Sequence, residues 1–149
     1  MRIYLDMCSL QRPLDDKTQL RVLVEAQAVL GVLALCESGT IDLIASDALV
    51  FETEANPDTV RRDFATQAIA MATQFVKTDD QLKARAQTFV DAGIKPLDAL
   101  HLASAVEAKA DFFCTCDDRF LKRARSLSPA STALTKVVSP LELVSELEQ

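Results

Sequence analysis

The 149-residue chain reads as an α/β domain, a three-layer sandwich built on a mostly parallel central sheet. Three observations predict it. Short β-favouring runs, RIYL at the start, IDLIAS at 41–46, FFCTC at 112–116 and KVV at 136–138, alternate with segments of helical spacing. Hydrophobic residues make up 49% and charged residues 26%, an ordinary globular balance. Three glycines and five prolines leave little room for disorder or long linkers, so residues 1–149 are expected to form one domain with a proper core.

The elements follow in order. RIYL is strand-like and Asp6 follows at once. From about Asp15 to Glu37, the spacing of Leu20, Leu23, Val24, Ala28, Leu30, Val32, Leu33 and Leu35 suits a long helix, with Gly39 as its stop. IDLIAS is the second strand, and Ser46 or Asp47 caps a helix through ALVFETEA. Residues 58–76 and 79–92 read as two helices, the second ended by Gly93. A further helix runs from about Leu97 to Ala110 into FFCTC, which is short and rich in β-favouring residues and so reads as a buried strand. Asp117-Asp118 turns into FLKRAR, KVVSP is the last strand, and Pro140 opens a terminal helix.

The opening MRIYLDMCSL is too short and too soon acidic for a signal peptide, and no apolar run approaches the roughly 18 residues of a membrane span. A cytoplasmic chain with no membrane association is expected. Cys8, Cys36, Cys114 and Cys116 then read as free thiols packed as small apolar groups, since the paired spacing of a zinc site is missing. A net charge of −6 argues against loose, charge-driven binding of nucleic acid. It leaves open an acidic site that recruits divalent cations and so reverses the local field.

Such a site has a predicted place. In open parallel sheets, ligands bind beyond the carboxyl ends of the strands. Asp6 follows the first strand, Asp117 follows FFCTC, and the helix carrying Asp98 returns to the same edge through its first turn. Three carboxylates far apart in sequence are therefore expected to meet. Together they repel unless protonated or neutralised, and hard oxygen donors suit Mg2+ or Mn2+. Metal-assisted phosphoryl chemistry is the reaction class this favours.

Each acid also has a plain structural role open to it. Asp6 can cap a turn, Asp98 can be a first-turn acid on the helix dipole, and Asp117 and Asp118 are natural N-terminal helix acids. His101, three residues after Asp98 and the only histidine, shares its helix face and is placed to orient it. Glu52 and Glu54 lie in a charged helical stretch, about 200° apart around the axis, so only one can face a site. Phosphate-binding glycine motifs, an Asp-x-Asp after the first strand (position 8 is cysteine) and a G-x-S-x-G elbow are all missing.

The segments IYLD at 3–6, SDALVFE at 46–52, GIKPLDALHLASA at 93–105 and ADFFCTCDDRFLKRA at 110–124 resemble the PIN-domain ribonuclease family, in particular VapC-like toxins. They occur in the family's order, and DALHLA followed by TCDDRFL is the most specific part. The resemblance implies a PIN-like fold, Asp6 and Asp98 as principal ligands of Mg2+ or Mn2+, Asp117 as the acid closing the site, and Glu52, which the alignment of segments favours over Glu54, as its glutamate. Met7 and Cys8 depart from the small hydroxyl or amide residues that the family commonly carries after the first acid.

The same resemblance implies cleavage of RNA by metal-activated water, a hydrolase activity, neutralisation by a small antitoxin protein, and a homodimer. Arg12, Arg61, Arg62, Lys83, Arg85, Arg119, Lys122, Arg123 and Arg125 are candidate phosphate contacts, and the few aromatics argue against an extensive stacking platform. Two rival readings are a catalytically weak PIN-like module that binds a partner, and a metal-dependent nuclease directed at DNA.

Overall fold

The computed structural model describes residues 1–148. Its centre is a five-stranded sheet made of β1 (Arg2–Leu5), β2 (Asp42–Ser46), β3 (Gln74–Val76), β4 (Phe112–Cys114) and β5 (Lys136–Val138), in the order β3-β2-β1-β4-β5. Every pairing is parallel, with Ile3 opposite both Leu43 and Phe112. Parallel strands covered on both faces are apolar throughout. Ile3, Tyr4, Ile44, Ala45, Phe113 and Cys114 accordingly have no exposed surface.

Helices flank the sheet: α1 (Met7–Leu10), α2 (Leu20–Glu37), α3 (Asp47–Ala55), α4 (Thr59–Ala70), α5 (Asp80–Asp91), α6 (Pro96–Glu107), α7 (Asp118–Arg125) and α8 (Pro140–Leu147). Polar residues at strand ends start several of them. Ser46 caps α3 by accepting from Leu49 N at 3.2 Å, and Asp79 caps α5 by accepting from Leu82 N at 2.8 Å. Ser139 and Glu142 form a reciprocal capping box on α8.

Two expected boundaries are corrected. The helix expected over 58–76 ends at Ala70, and Gln74–Val76 forms β3 on the sheet edge, entered where Thr73 N donates to Leu43 O at 3.0 Å. Three residues are too few for strand periodicity to show against the helical run before them. The long helix begins at Leu20 rather than Asp15, because side chains tie up the segment between. Asp15 accepts from Arg12 and Arg61, and Asp16 accepts from Thr18 N at 3.1 Å.

The same segment holds a buried charge. Glu25 on α2 keeps only 2% of its side chain exposed, and its Oε1 accepts from Arg12 Nη2 at 2.6 Å and Nε at 3.1 Å, with Arg21 Nε at 3.4 Å. Removing one partner of a buried pair strands the other. Arg12→Ala is expected to cost about 2–4 kcal/mol, since Arg21 compensates in part. Adding Glu25→Leu should recover most of that loss in urea-induced unfolding. A single variant as stable as wild type would show the pair to be solvated.

The strand order fixes where a site can form. From β1 the chain winds outward through β2 and β3, then returns to the other side of β1 for β4 and β5. The direction therefore switches between β1 and β4, and in parallel sheets the crevice outside the carboxyl ends at such a switch binds ligands. Asp6 follows β1 and Thr115-Cys116-Asp117 follows β4.

Candidate acidic site at the sheet edge

Asp6 is held at the switch point by three hydrogen bonds. Its backbone N–H extends the ladder to Cys114 O at 3.1 Å, and its Oδ1 accepts from Ser9 N and from the Cys8 thiol, each at 3.1 Å. The carboxyl is 3% exposed, and burial raises its pKa against the pull of the Thr115, Cys8 and Ser9 donors and of His101. Cys8 thus takes a part that the sequence did not show. It is exposed, unlike the three buried cysteines, while its sulfur lies against Asp6.

Asp98 sits in the first turn of α6, which Pro96 starts. It is half-buried, and among the described residues it has no hydrogen-bonding or ion-pairing partner. Burial pushes its carboxyl up to about 6; Asp6, Asp117 and Glu52 add to the rise while His101 opposes it. The other three acids therefore all bear on Asp98.

Asp117 caps α7, accepting from Phe120 N at 3.1 Å, while its own N–H donates to Thr115 Oγ1 at 3.1 Å. Its neighbour Asp118 is drawn the other way, into a bidentate pair with Arg21 at 2.7 Å on each oxygen. Of the two adjacent acids, Asp117 is the one that raises the Asp98 carboxyl.

Glu52 and Glu54 separate as their spacing requires: Glu54 is exposed, and Glu52 accepts from His101 Nε2. His101, 1% exposed, was expected to orient Asp98; its ring instead joins Glu52 to Tyr4. The correction has a simple cause. An i,i+3 spacing puts two residues on one helix face, but the ring reaches sideways to β1 and α3. Tyr4 Oη lies 2.6 Å from His101 Nδ1 and 2.6 Å from Ser46 Oγ.

One set of protons satisfies this chain with a neutral ring. Glu52 as a carboxylate can only accept, so Nε2 carries the proton and Nδ1 accepts from the Tyr4 hydroxyl. Tyr4 Oη then accepts from Ser46, whose Oγ accepts from Leu49 N. Burial holds the Tyr4 phenol well above its ordinary pKa, so it remains a donor. Sequence reading passed over Tyr4; the signal was a lone tyrosine in an otherwise apolar central strand.

The candidate phosphate contacts divide. Arg12, Arg61, Arg85 and Arg125 pair with acids (Arg12 and Arg61 with Asp15, Arg85 with Glu107, Arg125 with Glu142), so they are committed within the fold. Lys83, Arg119, Lys122 and Arg123 have no such partner among the described residues, and Arg62 reaches only the Asn56 carbonyl.

An all-parallel sheet with oxygen-rich acids at its switch point defines the class: an α/β protein with an acidic site at the carboxyl edge. The PIN domain family model matches residues 3–126, and this chain belongs to that family. A solved structure, PAE2754 from Pyrobaculum aerophilum, is similar across 99% of this chain and 98% of its own, with a TM-score of 0.52 and 14% identity, and shows the shared fold. Among curated proteins, none matches this chain. Family membership points to a nuclease-type function and to divalent metal.

The donors fit such an ion in their chemistry. Asp6, Asp98, Asp117 and Glu52 offer only hard oxygen ligands, and the raised carboxyls of Asp6 and Asp98 mark charge that a cation would relieve. Among the described residues, no three His, Cys, Asp or Glu side chains are already gathered around one point. Also among them, no helix is long and apolar enough to cross a membrane.

Proposed function

We propose that this chain is a Mg2+- or Mn2+-dependent endoribonuclease in which Asp6, Asp98 and Asp117 hold the metal and Glu52 completes the acid cluster. The observation that carries the reading is Asp98, a carboxyl with no partner among the described residues, raised to about 6 by burial and by Asp6, Asp117 and Glu52. Structural acids are paired or hydrogen-bonded; this one is kept in a crowd of like charge.

When bound, the cation supplies the positive charge and Lewis acidity that phosphodiester hydrolysis needs at neutral pH. The chain's own residues prepare the place. Cys8 and Ser9 fix the Asp6 carboxylate, and Asp98 is largely ionised at pH 7. The His101–Tyr4–Ser46 chain holds one oxygen of Glu52 through His101 Nε2. A toxin role in the cytoplasm, with a small antitoxin as partner and a homodimer as the working form, rests on the likeness of DALHLA and TCDDRFL to VapC-like segments.

A second reading is favoured by one contact. The Cys8 thiol occupies Asp6 Oδ1, in a place where the family commonly has a hydroxyl or amide, and this suits a weak or lost nuclease that binds a partner. Labelled RNA and matched DNA oligonucleotides, incubated with Mg2+, Mn2+ or EDTA, separate the readings. Metal-dependent cutting of RNA alone is the expected result. Equal cutting of DNA would redirect the substrate, and metal binding without cutting would favour the binding module.

A further inference from the structure

We propose that Lys95, Arg119 and Arg123 form a phosphate-binding subsite beside the acid cluster, holding a phosphodiester of the strand next to the one cleaved. The proposal rests on the nuclease reading for its substrate. A cavity of about 110 Å³ opens between the start of α6 and α7, lined by these three cations and by Gly93, Asp98 and Asp117. At roughly 10–15 Å³ per water, it admits a phosphate group and its first waters.

The cations are placed for this. Arg119 and Arg123 are one turn apart on α7 and so share a face. Lys95 precedes the first turn of α6, three residues before Asp98. None of the three has an acid partner among the described residues, in a chain of net charge −6 whose other arginines are mostly paired. Arg123 lies directly over Gly93, where an added Cβ would meet its Nη1 at 2.5 Å. Gly93 also has φ +100°, so this backbone both ends α5 and leaves room for the guanidinium.

Arg119 and Arg123 also line a second, open cavity, of about 500 Å³, with Lys122, Ser126 and Asp118, whose charge Arg21 offsets. A strand with one phosphate at Asp98 and Asp117 would thus find cations continuing along α7. Three cations against two carboxylates in the inner cavity also explain how an acidic protein can hold a polyanion there.

The test is fluorescence anisotropy of a short 5′-fluorescein single-stranded RNA in EDTA, comparing wild type, Arg119→Ala/Arg123→Ala and Lys109→Gln. Each lost phosphate contact removes roughly 0.7 from the dependence of log affinity on log salt, so the double variant should be shallower by about 1.4. Between 1 M and 50 mM salt that slope amounts to binding weakened roughly sixtyfold at the low end. Lys109 is exposed past the far end of α6 and lines neither cavity, and its variant should match wild type.

Circular dichroism should show all variants folded, because both arginines are exposed and make no internal bond among the described residues. An unchanged slope and affinity in the double variant overturns the subsite, as does a wild type that binds no oligonucleotide. RNA binding that needs both arginines, without cleavage in Mg2+, would keep the subsite and sink the nuclease. Metal-dependent cleavage with an unaltered KM in the double variant would do the reverse.

Discussion

Asp98→Asn is expected to lose cleavage by at least about 100-fold, a metal ligand mattering at least as much as its supporting shell, and to gain stability. The gain follows from the charge Asp98 carries. Its carboxyl ordinarily titrates at 3.8 and here is pushed up to about 6, so the folded protein binds the proton more tightly than the unfolded chain. Stability from this group is therefore fully present below about pH 3.8 and is lost as pH rises through about 6. The full rise corresponds to at most about 3 kcal/mol. Asp98 is half exposed, and solvent screening reduces that to roughly 1–1.5 kcal/mol.

Asparagine has the same shape and no charge to bury. The variant should melt about 2–6 °C higher at pH 7, and the two proteins should converge toward pH 4. Mg2+ or Mn2+ should raise the melting temperature of wild type and much less that of the variant, because a ligand stabilises only the state that binds it. Reduced activity with increased stability marks a residue kept for function at the expense of the fold. A variant less stable than wild type at pH 7 would mean that Asp98 is a structural acid, and full cleavage by it would remove it from the reaction.

Much of this arrangement is legible in the sequence, for reasons that also explain what is not. Strands β1, β2, β4 and β5 are buried apolar runs, and runs of that kind read without a partner. Edge strand β3 is three residues long and gets its definition from β2, so its own residues carry little signal. That Asp6 and Asp117 share an edge follows from topology, because acids at the carboxyl ends of neighbouring parallel strands do so whatever their side chains do.

Direction and pairing do not follow from topology. His101 shares a helix face with Asp98, yet its partners come from β1 and α3, elements 97 and 49 residues away. The arginines behave likewise. Arg85 and Arg125 read as candidate phosphate contacts until Glu107 and Glu142 reach them from other elements, while nothing in the sequence around Lys95 sets it apart from other surface lysines and its place comes from the cavity between α6 and α7.

His101→Ala carries the other large expected effect, and it tests whether the buried chain serves the fold, the site or both. Removing a ring that is 1% exposed leaves a cavity and takes one partner each from Tyr4 and Glu52. Tyr4 keeps Ser46, and Glu52, half-buried, can turn toward water, so the expected cost is about 2–4 kcal/mol rather than more. That is a fall of roughly 5–15 °C in melting temperature. Tyr4→Phe removes only the hydroxyl and should cost about 1–2 kcal/mol. Because the two residues share one hydrogen bond, the double variant should be more stable than the sum of the singles predicts, by about 0.5–2 kcal/mol. Strict additivity would mean that the Tyr4–His101 bond contributes nothing. The site is read separately, at a temperature where every variant is folded. If His101 holds Glu52 in place for the reaction, His101→Ala should lower kcat by a factor similar to Glu52→Gln, with KM little changed, and the two losses should not multiply when combined. If cleavage survives in folded His101→Ala, the chain from Ser46 to Glu52 is a fastening of α3 and α6 to β1, and Glu52 acts without it.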